Sequence, residues 1–284
     1  MTTQKASKPS SRRAGAGVGA DRQGAERIAC WLVEQHRERR PFAGLPADCA
    51  LASLDEAYAA QDAFVAIKAE ACGEPMGWKV ALSNPAMQRF VGFREPVAAR
   101  LHRRQVVGAP GHARAAAYGR LVVEFEIAVE LGADLPPKAG DYTRNEVAEV
   151  VAAVRPAFEL VDDRGADYRE LGSHGLQLIA DNAWGEGAVL GERRTDWQRL
   201  DLAELDGFVA LDGQQIGAGS GRDLMGHPLD ALAWLASHAS RRGLGMRAGE
   251  LAILGSLVVS KFPRAGQRFD FALEGFDPIS LYIE

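Results

Sequence analysis

The sequence has few cysteines, no long apolar run and no excess of positive charge. Cys30, Cys49 and Cys72 are odd in number and show no CxxC spacing, which argues against a disulfide framework and against a thiolate zinc site. No apolar run reaches the roughly 20 residues of a membrane span, and the N-terminus lacks the apolar core of a secretory signal. The net charge of -5 opposes binding to phosphate backbones, so we expect no nucleic-acid partner. These absences predict a cytoplasmic protein.

The first 22 residues differ in composition from the rest of the chain. They are rich in Ser, Gly, Ala, Lys and Arg and have almost no large apolar side chain. Such a segment cannot bury enough apolar surface to offset the entropy of ordering, so residues 1–22 are predicted to be a disordered arm. The chain as a whole is 47% hydrophobic and 25% charged, which indicates that the remainder folds around an ordinary core.

Apolar spacing and end signals predict a mixture of helices and strands. Apolar residues recur at helical spacing over residues 26–39, and Ser53 with Glu56 forms a capping box before a helix that starts near Leu54 and ends at Gly73. Further helices are predicted after Thr143 and between Pro228 and Gly243. Strands are predicted at Met76–Leu82, Leu121–Leu131, Ala157–Val161, Phe208–Leu211, Leu251–Val259, Arg268–Leu273 and Ile279–Ile283. The fold class is therefore α+β.

The predicted strand over residues 121–131 alternates apolar and other side chains. Glu124 and Glu126 lie on one face, roughly 6 to 7 Å apart, which is near enough for both carboxylates to reach one cation. A strand with a solvated glutamate face is the alternative. Glu130, on the same face, favours that alternative.

Glu159 shifts the balance toward a cation site. It is the one ionisable residue in the apolar run from Pro156 to Val161, where a charged group needs a partner. Carboxylates alone suit a hard ion such as Mg²⁺ or Mn²⁺. A 2-keto acid can fill two further coordination positions through its carboxylate and its 2-oxo group. The sequence thus predicts a metal site at Glu124, Glu126 and Glu159.

Lys79 is the second candidate for chemistry. It alternates with Trp78, Val80 and Leu82 in a predicted strand that is mostly buried. Desolvation lowers the pKa of a lysine and nearby carboxylates raise it, so the balance decides whether Lys79 donates or accepts a proton. A structural ion pair, or an edge lysine that reaches solvent, is the alternative.

Six short motifs follow one another along the chain and together point to a family. They are Gly77-Trp-Lys-Val-Ala-Leu82, Asn84-Pro-Ala-Met-Gln88, Glu124-x-Glu126, Pro156-Ala-Phe-Glu159, Ile179-Ala-Asp-Asn182 and Gly226-His-Pro-Leu229. In this order they resemble the 2-keto-4-pentenoate hydratase and 4-oxalocrotonate decarboxylase branch of the fumarylacetoacetase superfamily. The resemblance runs from about Ala57 to the C-terminus. Each motif alone is weak, whereas six in order are specific.

The resemblance implies an architecture and an activity. The expected fold is a mixed, barrel-like β roll of the fumarylacetoacetase C-terminal type with flanking helices and a helical N-terminal section. Residues 23–284 would then form a single catalytic domain, which associates as a homo-oligomer. Family members hydrate 2-hydroxypenta-2,4-dienoate to 4-hydroxy-2-oxovalerate, or decarboxylate 4-oxalocrotonate, during the breakdown of aromatic rings. A small 2-keto acid is therefore the expected substrate, and no membrane partner is expected.

The resemblance also implies roles for single residues. In the family, the carboxylates that match Glu124, Glu126 and Glu159 bind Mg²⁺ or Mn²⁺, and the lysine that matches Lys79 takes part in proton transfer. A substrate-pocket role for Asp181 and Asn182 rests on the resemblance alone, because such residues usually cap turns. Gly255 and Ser256 are candidates for donating backbone N–H groups to a substrate carboxylate, and a plain turn explains them equally well.

One position departs from the pattern of the family. Relatives carry an acidic residue where this sequence has Val97, and a valine cannot relay a proton. Hydration stays the first prediction, with 4-oxalocrotonate decarboxylation as the alternative within the family. An acylpyruvate-type hydrolase is a further alternative. A non-catalytic subunit that associates with a pathway partner enzyme is the alternative from another class.

Overall fold

The computed structural model describes the backbone of residues 14–284 and the side chains from Arg22 onward. The helices are α1 (Ala14–Arg37), α2 (Leu54–Cys72), α3 (Pro85–Val91), α4 (Arg144–Ala148), α5 (Gly175–Ala180) and α6 (Pro228–Arg241). The strands are β1 (Pro75–Ala81), β2 (Val97–His102), β3 (Val106–Gly108), β4 (Gly111–Ala113), β5 (Leu121–Leu131), β6 (Val151–Asp162), β7 (Gly185–Leu190), β8 (Asp206–Leu211), β9 (Gln214–Ser220), β10 (Leu251–Ser256), β11 (Arg268–Leu273) and β12 (Ile279–Ile283). The predicted α+β class is confirmed.

The strands form two mixed sheets. The larger sheet has the order β2-β1-β10-β5-β6-β7-β3, and the smaller sheet has the order β4-β12-β11-β8-β9. In the larger sheet β1 runs parallel to β10, whereas β10, β5, β6 and β7 are successively antiparallel. The inner position of β5 and β6 places their central residues far from any sheet edge.

Aromatic side chains join the two sheets into one core. The ring of Phe125 on β5 lies 5.7 Å from the rings of Phe158 on β6 and Phe269 on β11, measured between centroids. Phe271, also on β11, lies 5.9 Å from Phe125. All four are at most 1% exposed, and burial of each ring stabilises the packed sheets by about 1.5–3 kcal/mol.

The N-terminal section is helical, as the resemblance implied. α1 packs on α2 through a satellite core in which Ile28 and Leu32 meet Phe64 and Val65. Ala180 of α5 closes this core, so the N-terminal helices rest on the segment that leads into β7. No helix among residues 14–284 combines the length and the hydropathy that a bilayer span requires.

The start of α1 differs from the prediction. The helix begins at Ala14 rather than near Glu26, so the backbone is helical over residues 14–22, which the prediction had assigned to the arm. Alternating glycines lower the intrinsic helix propensity of this stretch, so the sequence did not predict a helix there. Arg22 and Glu26 form an i, i+4 ion pair with an Nε–Oε1 distance of 3.1 Å that stabilises this part of the helix. Residues 1–13 lie outside the described part of the chain.

Candidate metal centre and active site

Three glutamates meet on the two inner strands of the larger sheet. Glu124 and Glu126 lie on β5, and Glu159 on β6 pairs directly with Glu124 in the antiparallel register. Ligand oxygens of the three carboxylates lie within 4.8 Å of one another. The structure thus brings together the three carboxylates that the sequence predicted as metal ligands.

Burial separates these residues from an ordinary solvated strand face. Glu126 and Glu159 are each 1% exposed, and Glu124 is half-buried. Glu130 lies outside the cluster and pairs with Arg193 at a distance of 2.8 Å, Oε1 to Nη2. The solvated face that the alternative required is therefore limited to Glu130.

Two of the three carboxylates accept hydrogen bonds from the end of β10 and from the loop that follows it. Ser260 Oγ lies 2.6 Å from Glu124 Oε1 and donates to it. The backbone N–H of Gly255 donates to Glu126 Oε2 at 2.7 Å. Among the described residues, neither oxygen of the Glu159 carboxylate has a well-aligned hydrogen-bond donor. Glu159 therefore keeps acceptor capacity for a cation.

The electrostatics of the cluster call for additional positive charge. Burial, together with the charges of Glu159 and Glu124, raises the pKa of Glu126 well above its usual range. Burial raises the pKa of Glu159 to about 7, against the opposing effect of Lys79. Without a further cation, Glu126 and Glu159 hold protons at pH values where an ordinary glutamate is ionised. Three convergent oxygens with no His or Cys ligand fit a hard divalent ion.

Lys79 supplies one positive charge to this cluster. It lies on β1, between β2 and β10, and is 1% exposed, which excludes an edge lysine that reaches solvent. Its Nζ lies 2.5 Å from Glu159 Oε1 and donates to the carbonyl oxygen of Ala183 at 2.9 Å. Burial lowers the pKa of Lys79, but the charges of Glu159 and Glu124 outweigh it and the net shift is upward. The amine is therefore protonated in the resting site.

The carbonyl that contacts Lys79 comes from a strained turn. Asn182, Ala183 and Trp184 have φ values of +51°, +45° and +58°, the left-handed region that non-glycine residues rarely adopt. Each such residue costs on the order of 1–3 kcal/mol, so the surroundings must hold the turn in place. Gly185 follows, and a Cβ built there would lie 3.2 Å from Lys79 Cε. The turn and its glycine therefore approach the lysine closely.

Asp181 and Asn182 are fully buried beside the site, and their side chains are occupied by protein groups. Asp181 Oδ2 accepts from Arg164 Nη2 at 2.5 Å, and Oδ1 lies 2.5 Å from Nε2 of His36. The Asn182 amide bonds both the N–H and the C=O of Arg100, at 2.8 and 2.9 Å. Direct contact of Asp181 or Asn182 with a substrate stays a prediction. Asp181 makes no side-chain cap hydrogen bond to the turn, so its bonds do not support the turn-capping alternative.

Gly255 and Ser256 lie beside the carboxylates at the end of β10. Gly255 has a φ of +116°, where a side chain is strained, and its N–H is already bonded to Glu126. Ser256 Oγ accepts from the N–H of Phe125 at 2.9 Å and donates to the carbonyl of Val258 at 2.8 Å. Both residues thus brace β5 and its glutamates, and their contact with a substrate carboxylate stays a prediction.

Known proteins resemble this chain over nearly its whole length. A 2-hydroxyhexa-2,4-dienoate hydratase of Comamonas testosteroni is 31% identical over 265 residues, which cover 92% of this chain and 98% of the hydratase. A 2-keto-4-pentenoate hydratase of Dechloromonas aromatica (strain RCB) is 30% identical over 261 residues, covering 90% and 95%. The chain belongs to the 2-keto-4-pentenoate hydratase and 4-oxalocrotonate decarboxylase family. No protein-family model matches the sequence.

The chain has the same fold as a solved structure from this hydratase and decarboxylase family. The 4-oxalocrotonate decarboxylase of Pseudomonas putida G7, complexed with magnesium and adipate, superposes with a TM-score of 0.84. The two chains are 21% identical, and the match covers 93% of this chain and 98% of the decarboxylase. The predicted membership of the family and the predicted fold are confirmed.

Val97, where this member of the hydratase and decarboxylase family departs from the motif, lies next to the lysine strand. On β2 it is one residue from Ala98 and two from Ala99, and Ala99 pairs with Lys79. Since residues two apart share a face, Val97 projects from the same face of the sheet as Lys79. Val97 is 1% exposed, so an apolar group fills this place.

The sequence missed four groups that support the site. Ser260 and the Ala183 carbonyl contact Glu124 and Lys79, and they carry no sequence signal of their own. His36 and Arg164 bind Asp181 from distant parts of the chain, 145 and 17 residues away. Arg164 has one signal that could have found it, which is the charged run Asp162-Asp-Arg164 directly after the apolar residues of β6.

Proposed function

We propose that the protein is a divalent-metal-dependent lyase that acts on small 2-keto or 2-hydroxydienoic acids. The favoured reaction adds water to 2-hydroxypenta-2,4-dienoate and gives 4-hydroxy-2-oxovalerate in the breakdown of aromatic compounds. One observation carries the proposal: the carboxylates of Glu124, Glu126 and Glu159 converge beside the buried amine of Lys79 in a member of the hydratase and decarboxylase family.

The three glutamates would hold the metal ion. Their oxygens fit Mg²⁺ or Mn²⁺, and the magnesium in the decarboxylase of similar fold supports this assignment. When bound, such an ion supplies positive charge to the carboxylate and 2-oxo oxygens of a keto acid, where enolate charge develops. Gly255 and Ser260 fix the orientation of Glu126 and Glu124 and so preorganise the ligand set.

Lys79 would carry the proton during interconversion of the dienol and keto forms. Its Nζ is protonated at rest, so it acts first as a donor toward substrate carbon. The 2-hydroxyl of the dienol loses one proton for each proton that carbon gains, so a single ammonium group can serve both steps. Glu159 and the Ala183 carbonyl orient Nζ, and the burial of the pair excludes bulk water from the transfer.

The second candidate reaction is decarboxylation of 4-oxalocrotonate. Loss of carbon dioxide passes through the same type of enolate and requires the same carboxylates and lysine. Val97 favours this candidate, because decarboxylation needs no side chain that delivers water whereas hydration does. Hydration stays the first proposal because the relatives at 31% and 30% identity described above are hydratases.

An absorbance assay tests the proposal. The purified protein is mixed with Mn²⁺ or Mg²⁺ and either the dienoate or 4-oxalocrotonate, and loss of the ultraviolet absorbance is followed with carbon dioxide release as a second readout. Hydration consumes the dienoate without gas, and decarboxylation releases carbon dioxide. If neither acid reacts with any metal present, the lyase assignment is wrong. Turnover of an acylpyruvate would instead support the hydrolase, and activity restored only by a partner enzyme would support the non-catalytic subunit.

We also propose the setting in which the enzyme works. Residues 23–284 form one catalytic domain, and copies of the chain assemble into a cytoplasmic homo-oligomer beside a pathway partner enzyme. Light scattering after gel filtration checks the assembly, and a monomer at micromolar concentration would contradict it.

A further inference from the structure

A buried histidine from the N-terminal section reaches the segment that contacts the lysine. His36 lies in the last turn of α1, and its side chain is 9% exposed. Nε2 lies 2.5 Å from Asp181 Oδ1, and Nδ1 lies 3.0 Å from Glu186 Oε1. Both ring nitrogens thus face carboxylates, and only the protonated ring donates a hydrogen bond to each of them.

The two carboxylates flank the strained turn. Asp181 precedes the three left-handed residues Asn182 to Trp184, and Glu186 follows them on β7. Two backbone hydrogen bonds close the turn, from Trp184 N–H to the Asp181 carbonyl and from Gly185 N–H to the Asn182 carbonyl. An imidazolium that holds both ends therefore restrains a conformation that the backbone does not favour by itself.

The turn sets the position of the proposed proton carrier. Its middle carbonyl, that of Ala183, accepts from Lys79 Nζ at 2.9 Å. A shift of that oxygen would change the direction of the N–H bonds that remain for substrate. His36 touches neither Lys79 nor the glutamates of the proposed metal site in the described hydrogen bonds and ion pairs, so its effect passes through the turn.

The charge of His36 follows from its surroundings on every side. Burial lowers the pKa of the ring, but the charges and hydrogen bonds of Asp181 and Glu186 outweigh burial and raise it. Two other cations face the same carboxylates: Arg164 Nη2 at 2.5 Å from Asp181 and Lys68 Nζ at 2.6 Å from Glu186. Gln105 also donates to Glu186, and the ring of Phe64 lies 5.4 Å from the imidazole.

We propose that His36 is a positioning residue for the reaction: it bridges Asp181 and Glu186 across the turn and thereby holds the Ala183 carbonyl against Lys79. The proposal rests on the role of Lys79 in the proposed function. It makes the N-terminal helix a functional part of the site, because α1 supplies the bridge from outside the β roll. It also gives Asp181 a role that needs no contact with substrate.

The test replaces the bridge and measures the turn and the chemistry separately. His36→Gln donates from one amide and cannot span both carboxylates. We expect kcat to fall by about tenfold to a hundredfold, while KM and Mn²⁺ affinity change less than about twofold, because only the lysine is displaced. Hydrogen exchange at the Trp184 and Gly185 amides should become faster while exchange in β5 and β6 is unchanged. Glu186→Gln removes one end of the bridge and leaves the ring. It should also lower kcat and speed exchange at these two amides, with KM and Mn²⁺ affinity nearly unchanged, but to a smaller extent than His36→Gln.

Two control variants separate this role from general stability. Lys68→Gln removes another partner of Glu186 but leaves the bridge, and Ile28→Val loosens the packing of α1 on α2. Both should keep the wild-type kcat. Unchanged exchange at the turn and unchanged kcat in His36→Gln and Glu186→Gln would overturn the proposal, as would an equal loss of kcat in the controls. An inactive wild-type protein would reject the proposed function instead, and the exchange measurement would still decide whether the bridge holds the turn.

Discussion

At the scale of single residues, Lys79 and Glu159 form a pair that water does not reach. Nearly complete burial of both groups means that either one, left alone, is an uncompensated charge. The pair therefore depends on its other partners: the Ala183 carbonyl for the lysine and the proposed ion for the glutamate. Lys79 and Glu159 therefore affect both the chemistry of the site and the stability of the fold.

Replacement of Lys79 should separate proton transfer from metal binding. In Lys79→Met we expect kcat to fall by about a hundredfold or more, because the proton carrier is gone. Mn²⁺ affinity should not decrease, since loss of the ammonium frees Glu159 for the ion. Lys138→Met, which removes a surface lysine paired with Glu146, serves as the control and should keep full activity. A large loss of Mn²⁺ binding in Lys79→Met would contradict the assigned role.

The raised pKa values of the glutamates predict how stability depends on pH. Burial raises the pKa of Glu159 from its ordinary value of 4.5 to about 7, and the pKa of Glu126 is raised as well. Between pH 4.5 and about 7, the folded protein without metal binds more protons than the unfolded chain. The free energy of unfolding that these two groups contribute therefore decreases as pH rises. An ion replaces the protons, and the increase in Tm caused by Mn²⁺ should be larger at pH 8 than at pH 5. An increase that is equal at both pH values, or larger at pH 5, would show that the carboxylates are not protonated in the absence of metal.

At the scale of elements, local signals predicted what lies within one strand or helix. The bounds of β5, β11 and β12 and the Ser53 cap of α2 agree with the prediction, because alternation and capping are properties of a few neighbouring residues. The Asp212-Gly213 pair predicts a hairpin turn because both residues accept positive φ at low cost, and in the structure their φ values are +51° and +83°. The pairing of Glu159 opposite Glu124 was not predictable in register, since it depends on how two strands align.

β6 shows why the prediction fell short where tertiary context intervenes. The sequence predicted a strand only from Ala157, because proline seldom lies within a sheet, yet β6 starts at Val151. The Pro156 carbonyl accepts from Gly191, which lies just past the end of β7. The nitrogen of Pro156 points to the same side, where no strand needs its missing N–H. Nothing local to Pro156 indicates that β7 ends there.

For β10 the prediction made the opposite error, because the strand is shorter than predicted. The strand was predicted to continue to Val259 but ends at Ser256, because Gly255 leaves the extended conformation to bond Glu126. Support of a carboxylate thus ends the strand within a sequence that is apolar except for Gly255 and Ser256.

The junction of the turn and β7 offers a test at the element scale. Gly185 has an ordinary φ of -65°, so Gly185→Ala is compatible with the backbone, but its Cβ would lie 3.2 Å from Lys79 Cε and 3.6 Å from Glu159 Oε1. We expect kcat to fall about tenfold with little change in Tm, because the lysine must move to make room. Gly108→Ala on β3, where a Cβ meets open space, is the control and should behave as wild type. Equal activity of both variants would show that the space beside Lys79 is not needed.

At the scale of the whole molecule, the site is assembled from parts that are distant in sequence. The larger sheet contributes Lys79 and the three glutamates, and the N-terminal helix contributes His36. The end of β10 and the loop after it contribute the donors to Glu126 and Glu124. Motif order predicted the first group, because family members share it. The contact of His36 with Asp181 spans 145 residues and exists only after the whole chain has folded, so no sequence pattern announced it.

Mn²⁺ binding by Glu159→Gln and its matched control tests the account most directly. The free-ion electron paramagnetic resonance signal is measured at pH 8 during titration of wild type, Glu159→Gln and Glu130→Gln. Because loss of a supporting residue alone typically costs 10- to 100-fold, loss of the ligand Glu159 should weaken Mn²⁺ affinity by about a hundredfold or more. Glu130→Gln, on β5 with Glu124 and Glu126 but outside the cluster, should bind as wild type does. Equal affinity in all three proteins, or no binding by wild type, would contradict a metal centre at Glu124, Glu126 and Glu159.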